Sequence, residues 1–114
     1  MKISILTNPL SQTELTDWGS PPIMLEGRSE TRGTLLHKGE GGQSECGLWE
    51  CSPGTWRCEV ERDEFCHFLA GEAVYESDDG TATAIRPDTI AFFPKGWRGT
   101  CRVIETVKKV YMIR

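Results

Sequence analysis

Downstream of Ser44, hydrophobic and polar residues alternate in short runs that are separated by turn-forming residues. No apolar stripe with the helical period of about 3.6 residues lasts long enough to predict a helix. Alternation with a period of two predicts strands instead, at residues 47–51, 56–61, 64–69, 72–76, 81–86, 89–93, 99–106 and 108–113. Many short strands with turns roughly every eight to twelve residues are typical of a β-sandwich or barrel, so the sequence predicts an all-β fold.

Proline, glycine and aspartate mark the turns between these strands. Ser52-Pro53-Gly54 combines a proline, which presets φ, with a glycine, which tolerates positive φ. A second proline-glycine turn is expected at Pro94-Lys95-Gly96. Asp78-Asp79-Gly80 predicts a β-hairpin with a type I′ turn, because an Asp-Gly pair suits the positive φ angles of that turn.

The first forty-odd residues have a different character. Residues 7–22 contain three of the six prolines and show no sustained periodicity, which predicts a surface loop or arm that could include one short strand or helical turn. Residues 23–25 could form a strand that joins the sheet, and the glycines of residues 39–42 predict a loop. We therefore expect an N-terminal arm with leading strands at residues 1–43, packed on a core at residues 44–114 within a single domain.

Length and charge narrow the possible functions. The 114 residues suffice for one domain, and the formal net charge is −4 with no cluster of lysines and arginines. A protein that binds nucleic acid needs a basic face to neutralise phosphates, so nucleic-acid partners are not expected. The apolar stretch at residues 1–6 is too short for a signal peptide, and no segment is long enough to span a bilayer. These features predict a cytoplasmic protein without a membrane partner.

Cysteine usage agrees with a reducing compartment. The chain has five cysteines, an odd number, and no two of them form a C-x-x-C pair. A closed zinc site usually takes ligands from such pairs. We therefore expect buried free thiols instead of disulfides or structural zinc.

The turn motifs resemble the two-part signature of the cupins. Gly54, then Glu64-x6-Gly71, and then Pro94-Lys95-Gly96 are similar to G-x5-H-x-H-x3–4-E-x6-G followed by G-x5-P-x-G-x2-H-x3-N. Residues 47–57, 63–66 and 94–99 resemble the small single-domain group related to the cupin half of ureidoglycine aminohydrolase. The resemblance implies a cupin jelly roll of two facing antiparallel sheets, to which the N-terminal arm donates an extra strand. It also implies a homodimer, since cupin sheets commonly pair through an edge or a face.

The chain departs from this signature at its histidines. The first two would fall at Arg57 and Glu59. With the shorter spacing they would fall at Cys58 and Val60, and the third would fall at Gly99. None of these residues is histidine, so the resemblance does not carry over the usual metal site.

The glutamate of the signature is present as Glu64, but the other metal ligands are not reproduced. The ligands of the aminohydrolase would fall near Cys58, Val60, Glu64 and Arg98. A divalent metal needs three or four convergent nitrogen or oxygen donors, so we expect no metal and no other cofactor. An atypical divalent metal site is the alternative, built from the neighbourhood of Cys58, Glu59, Glu64, Cys66 and His67.

Glu64 is the candidate catalytic residue. The resemblance implies that it points into the barrel, where an unpartnered carboxylate is costly. It could act as a general acid or base, or it could anchor a cationic group of a ligand. The structural alternative is a buried ion pair with Arg57 or Arg98.

A second set of residues is expected to line a ligand pocket around Glu64. It comprises Glu50, Trp56, Arg57, Cys58, Cys66, Trp97, Arg98 and Lys109. Strand alternation lets only one of Arg57 and Cys58 face inward, and the pattern leaves open which. By the same alternation Cys66 faces with Glu64 while His67 faces away, and Lys109 points toward Glu50 or Glu64.

Three functions are consistent with these residues. The first is the binding of a small polar metabolite in the barrel without a histidine-based metal site. The second is an enzyme of aminohydrolase or isomerase type that acts on a small nitrogenous or carbonyl compound, with Glu64 as acid or base. The third is a structural cupin whose barrel is occluded.

Overall fold

Nine β-strands and two short 3-10 turns, with no α-helix, form the computed structural model, which describes all residues from Met1 to Arg114. The strands are β1 (Thr16–Gly19), β2 (Met24–Glu26), β3 (Thr31–Lys38), β4 (Glu45–Cys51), β5 (Gly54–Glu59), β6 (Glu64–Ser77), β7 (Ala82–Ile85), β8 (Thr89–Phe93) and β9 (Arg98–Ile113). The all-β prediction is confirmed. No helix is long and apolar enough to cross a membrane.

The long strands β6 and β9 organise the fold. They pair with each other antiparallel along almost their whole length, from Glu64 opposite Ile113 to Ser77 opposite Gly99. On its other side, β9 pairs with β5 through its first half and with β4 through its second half. One sheet therefore has the order β1-β3-β4-β9-β6-β8 and the other has the order β2-β5-β9-β6-β7. These two facing antiparallel sheets are the predicted cupin jelly roll.

Both long strands had been predicted as two separate strands, and Gly71 explains the difference in β6. The register between β6 and β9 shifts repeatedly between Phe68 and Ala73, which lets β6 pass from one sheet to the other without a break. Gly71 lies within this irregular stretch with φ of 88°. A β-carbon at this position would overlap the carbonyl group of Thr106 on β9. The glycine was interpreted as the end of a strand, whereas it marks a bend within one.

The N-terminal region contributes three strands to the two sheets. β1 and β3 extend one sheet beyond β4, while β2 pairs with β5 at the edge of the other sheet. β3 has only two consecutive apolar residues, Leu35 and Leu36, so its period of two is invisible in the sequence. Its Gly33 leaves room for the ring of Trp18 from β1.

The hairpin between β6 and β7 occurs where it was predicted, but its turn type is different. The amide of Gly80 donates to the carbonyl of Ser77 at 2.8 Å, and the amide of Ser77 donates to the carbonyl of Thr81 at 2.9 Å. Gly80 has φ of 91°, whereas the two preceding aspartates do not have positive φ. A type I′ turn needs positive φ at both central residues, so that prediction is wrong. The loop is one residue longer, with the glycine in the left-handed position.

The core lies between the two sheets and contains three of the five cysteines. Cys51, Cys66 and Cys101 are fully buried among aromatic and branched side chains. All five cysteines are free thiols. The prediction of buried free thiols is confirmed for these three, while Cys46 and Cys58 are half-buried.

The bend at Gly71 leads to a prediction about stability. Substitution Gly71→Ala should lower the free energy of unfolding by about 3 kcal/mol or more, because the added carbon would force β6 and β9 apart at a residue with strained φ. Gly80→Ala is the matched control, since Gly80 has a similar φ of 91° but open space around its α-carbon. It should cost only about 1 kcal/mol. Urea denaturation measures both, and equal losses would contradict the steric role of Gly71.

Candidate functional site

A cavity of about 660 Å³ opens between the two sheets. Six aromatic side chains lie in its wall, namely Trp18, Trp49, Trp56, Tyr75, Phe93 and Tyr111. Residues 59–62, from the last residue of β5 into the loop before β6, also line it, and Glu59 and Glu61 within them are exposed. The cavity therefore has a mixed lining, in which aromatic side chains lie beside buried polar groups and exposed carboxylates.

An ion pair between Glu64 and Lys109 lies on the cavity wall. The ammonium nitrogen of Lys109 is 2.7 Å from Oε2 of Glu64. The thiol of Cys66 donates to the same oxygen at 3.1 Å. Lys109 is only 7% exposed, so one carboxylate and one ammonium group face each other in a poorly hydrated site. The sequence left Glu50 and Glu64 open as partners of Lys109, and the partner is Glu64.

The aromatic surroundings of Lys109 hold its charge in place. Lys109 is the cross-strand partner of Trp49, and its ammonium nitrogen lies 4.3 Å from the centre of that ring. Burial has the largest single influence on its pKa and lowers it. The carboxylate of Glu64 outweighs this influence, so the pKa of Lys109 lies above its ordinary value. Lys109 is therefore a fixed cation at neutral pH.

The neighbouring lysine forms a second buried ion pair on the opposite face of the sheet. Lys108 lies 3.7 Å from Glu50 and donates to the carbonyl oxygens of Leu10 and Gln12 at 2.8 and 2.7 Å. Its side chain and that of Glu50 are as buried as those of Lys109 and Glu64. Glu50 was predicted to line the pocket, but alternation along β4 points Trp49 inward and Glu50 outward.

Four other predicted pocket residues also lie outside the cavity lining, and one of them, Cys66, is fully buried and reaches only the carboxylate of Glu64. Arg57 faces outward and binds both carboxylate oxygens of Asp78 at 2.6 Å. Arg98 is exposed at the start of β9. Trp97 packs edge-on against Tyr75 and Phe93, with ring centres 6.1 and 5.7 Å away, and is not on the cavity surface. Neither arginine is a partner of Glu64.

Cys58 and Trp56 line the cavity, since the register of β5 turns them inward and Arg57 outward. Burial raises the pKa of Cys58 to about 11 and that of Cys66 to about 12. Both side chains therefore stay protonated at neutral pH. Neutral thiols are poor nucleophiles and poor metal ligands.

Most of the residues that line the cavity were not predicted from the sequence, and two of them, Tyr111 and Glu45, form a hydrogen bond. The hydroxyl of Tyr111 donates to Oε2 of Glu45 at 2.8 Å, and both residues line the cavity. Tyr111 lies two residues beyond Lys109 on β9, so alternation alone could have placed it in the pocket. Glu45 lies at the start of a strand, and no local pattern indicates which way it points.

The donors around Glu64 do not fit a divalent metal. No group of three or more histidine, cysteine, aspartate or glutamate side chains converges to hold a metal ion. The closest neighbours of the carboxylate are an ammonium group and a protonated thiol. His67 lies on the outer face, where its Nε2 is 2.8 Å from Asp88. A metal cation beside Glu64 would have to displace the Lys109 charge.

Comparison with known proteins identifies the type of domain. The family model for the EutQ-like cupin domain matches residues 38–111. No curated protein matches the chain.

Solved structures share its fold. A Pseudomonas syringae protein of unknown function from the DUF861 family superposes with a TM-score of 0.83 at 18% identity, over 94% of this chain and 46% of that protein. The chain thus spans about half the length of that relative. A DUF861 protein of Thermotoga maritima has a TM-score of 0.55 at 30% identity, over 56% of this chain and 73% of that one. The ethanolamine utilization protein EutQ of Salmonella typhimurium has a TM-score of 0.64 at 19% identity, over 74% of this chain and 68% of that one.

The buried thiols lead to a prediction about reactivity. At pH 8 a thiol with a pKa of about 11 is ionised in only about one molecule in a thousand. Cys58 in the folded protein should therefore react with a disulfide reagent at least ~100-fold more slowly than in the unfolded chain. Reaction rates followed by mass spectrometry identify each cysteine, and all five should react in denaturant. Rapid labelling of Cys58 in the folded state would contradict the protonated thiol.

Proposed function

The chain belongs to the family of EutQ-like cupin domains, and on that premise we propose that it binds a small polar metabolite in its cavity without a divalent metal. The main support for this proposal is the ion pair between Glu64 and Lys109, which is largely buried but lies on the wall of the cavity. A volume of about 660 Å³ lies within the range of pockets for small organic ligands.

The ion pair is better explained by ligand binding than by stability. Removing two charges from water is costly, and replacing a buried pair by apolar residues is often neutral or stabilising. A domain that needed only a packed core at this position would be served better by leucine and methionine. The pair at the cavity wall therefore supports a role in recognition.

The unused hydrogen-bonding capacity of the pair indicates the chemistry of the ligand. Lys109 has three donors and makes one side-chain hydrogen bond, to Glu64. Both bonds to Glu64 reach Oε2, which leaves Oε1 free to accept. A ligand with a neighbouring acceptor and donor, such as an amino alcohol or an amide, would bind Lys109 through the first and Glu64 through the second. The rings of Trp49 and Trp56 would cover its apolar part.

An enzyme is the second candidate, and the same pair of groups supports it. Glu64 and Lys109 are a carboxylate and an ammonium group on one cavity wall, which is the arrangement a general base and a general acid need. Glu64 would be the acid or base for an isomerisation of a carbonyl or nitrogenous compound. Metal-dependent hydrolysis of the ureidoglycine aminohydrolase type has less support, because the donors do not fit the metal. The third hypothesis, a structural cupin with an occluded barrel, has less support because the barrel contains an open cavity.

A pair of matched substitutions tests the binding proposal. Glu64→Gln should weaken ligand binding at least ~10-fold, because the amide loses the charge that orients Lys109 and the ligand. Glu50→Gln is the control, since the Glu50 side chain is as buried as that of Glu64 and pairs with Arg32 and Lys108 on the outer face. It should leave binding unchanged.

The ligand is sought by thermal shift with a panel of small amino alcohols, amides and amino acids, and affinities are measured by calorimetry. Ethanolamine is included because it carries a neighbouring hydroxyl and ammonium group, and because a EutQ protein shares the fold. Equal weakening by both substitutions would contradict the proposal. Unchanged binding with loss of turnover in Glu64→Gln would favour the enzyme.

A double substitution separates recognition from stability. Lys109→Met alone should cost about 3–5 kcal/mol, because it leaves a buried carboxylate without its partner. Combining it with Glu64→Leu should restore the free energy of unfolding to within about 1–2 kcal/mol of the parent protein. The double variant should fold and fail to bind. A double variant as unstable as the single one would show instead that the pair serves folding.

A further inference from the structure

Two carboxylate side chains flank Ile113 on the inner face of the sheet. Glu45 of β4 lies opposite Ile113 on one side, and Glu64 of β6 lies opposite it on the other. Because neighbouring strands are about 4.8 Å apart, the α-carbons of the two glutamates are about 10 Å apart. All three residues line the cavity. This part of the wall therefore presents an apolar side chain between two carboxylates.

A phenol donor orients the first of these carboxylates. Tyr111 of β9 lies opposite Gly47 of β4, where a β-carbon would be 3.2 Å from the hydroxyl oxygen of the tyrosine. This glycine leaves room for the hydroxyl, which donates to Oε2 of Glu45 at 2.8 Å. Burial and the hydrogen bond to Glu45 raise the pKa of Tyr111 well above its ordinary value, so the phenol remains a donor at neutral pH.

Glu45 differs from Glu64 in that no cation of the chain pairs with it. The six ion pairs of the structure all involve other residues. Lys38 is its cross-strand partner and also lines the cavity, but Lys38 is exposed and forms no ion pair with it. A hydroxyl group satisfies one carboxylate oxygen without neutralising the charge. A half-buried carboxylate in this state favours a cationic partner from outside the chain.

The other charges of the cavity lining also favour a cation. Besides the ion pair between Glu64 and Lys109, the lining contains three carboxylates and two cations, namely Glu45, Glu59 and Glu61 with Lys38 and Arg62. Arg62 donates to the carbonyl oxygen of Gly42 at 2.6 Å. An excess of carboxylates in a cleft raises the local concentration of cations.

We propose that the ligand is an extended amine, with its ammonium group bound by Glu45 and a hydroxyl or amide group at its other end bound by Glu64 and Lys109. This inference rests on the proposed function, to which it adds a second recognition group in the same cavity. The methylene groups between the two ends then lie against Ile113, which matches the polar, apolar and polar order of the wall. 5-Aminopentanol has this order, and its polar ends are about 7 Å apart when the chain is extended. The polar groups of ethanolamine are neighbours and reach only the ion pair.

Calorimetry with 5-aminopentanol tests this assignment on the full chain. The parent protein should bind it at least ~10-fold more tightly than 1-pentanol, which lacks the ammonium group. Glu45→Gln should weaken the binding of 5-aminopentanol at least ~10-fold, because the amide does not attract a cation. Glu72→Gln is the matched control, since Glu72 is also half-buried without an ion pair but lies outside the cavity. It should leave the affinity unchanged, and thermal denaturation confirms that each variant folds.

Ethanolamine distinguishes this inference from the proposed function. It should bind equally to the parent protein and to Glu45→Gln, and more weakly to Glu64→Gln. Equal binding of 5-aminopentanol to the parent protein and to Glu45→Gln, or equal weakening by Glu72→Gln, would overturn the inference. The proposed function would stand in that case if Glu64→Gln still weakened binding. Absence of 5-aminopentanol binding would also overturn the inference alone, whereas indifference of every bound compound to Glu64→Gln would overturn both.

Discussion

The continuous antiparallel pairing of β6 with β9 determines most of what this domain can do. Because both strands pass through both sheets, one register sets which side chains face the interior at each end of the barrel. It directs Glu64 and Cys66 of β6 and Lys109 of β9 to the same side. The bend at Gly71 makes this possible, since the strand must leave one sheet and enter the other without losing its partner. The site is therefore a consequence of strand register, and a slip by one residue would place the ion pair outside.

The two consecutive lysines of β9 show how one strand serves both faces of a sheet. Lys108 and Lys109 are equally buried, and each forms an ion pair with a glutamate of a neighbouring strand, Glu50 and Glu64 respectively. On the outer face, Lys108 uses its remaining donors for backbone carbonyls and so fastens the N-terminal segment. On the inner face, Lys109 lies beside Trp49 and keeps donors that no protein group uses. The first arrangement uses the donors of Lys108 within the chain, whereas the second leaves donors of Lys109 without a protein acceptor.

Much of the fold could be predicted from the sequence, because strands with one buried face carry their pattern locally. β8 was predicted with its observed bounds, and Glu64, Trp56, Cys58 and Lys109 were predicted for the cavity. The predictions that failed concern features that depend on pairing between segments distant in sequence. β3 lacks alternation, Glu50 was expected to face the cavity, and the sequence left open which of Arg57 and Cys58 does so. Arg57 was a candidate ion-pair partner of Glu64 because it is a nearby cation in the sequence. The register of β5 against β9 instead turns its side chain outward, where it binds Asp78.

The loss of the histidines and the presence of Lys109 have linked consequences for chemistry. In a cupin with a metal, positive charge in the barrel comes from an exchangeable ion with several coordination positions. Here the charge beside the retained glutamate is covalently attached, and it cannot be lost at neutral pH because the pKa of Lys109 is raised. An ammonium group donates hydrogen bonds but offers no open coordination position. Under the binding proposal, Lys109 supplies hydrogen-bond donors and the aromatic rings supply contacts to the ligand; under the enzyme proposal, Glu64 and Lys109 supply the groups for proton transfer.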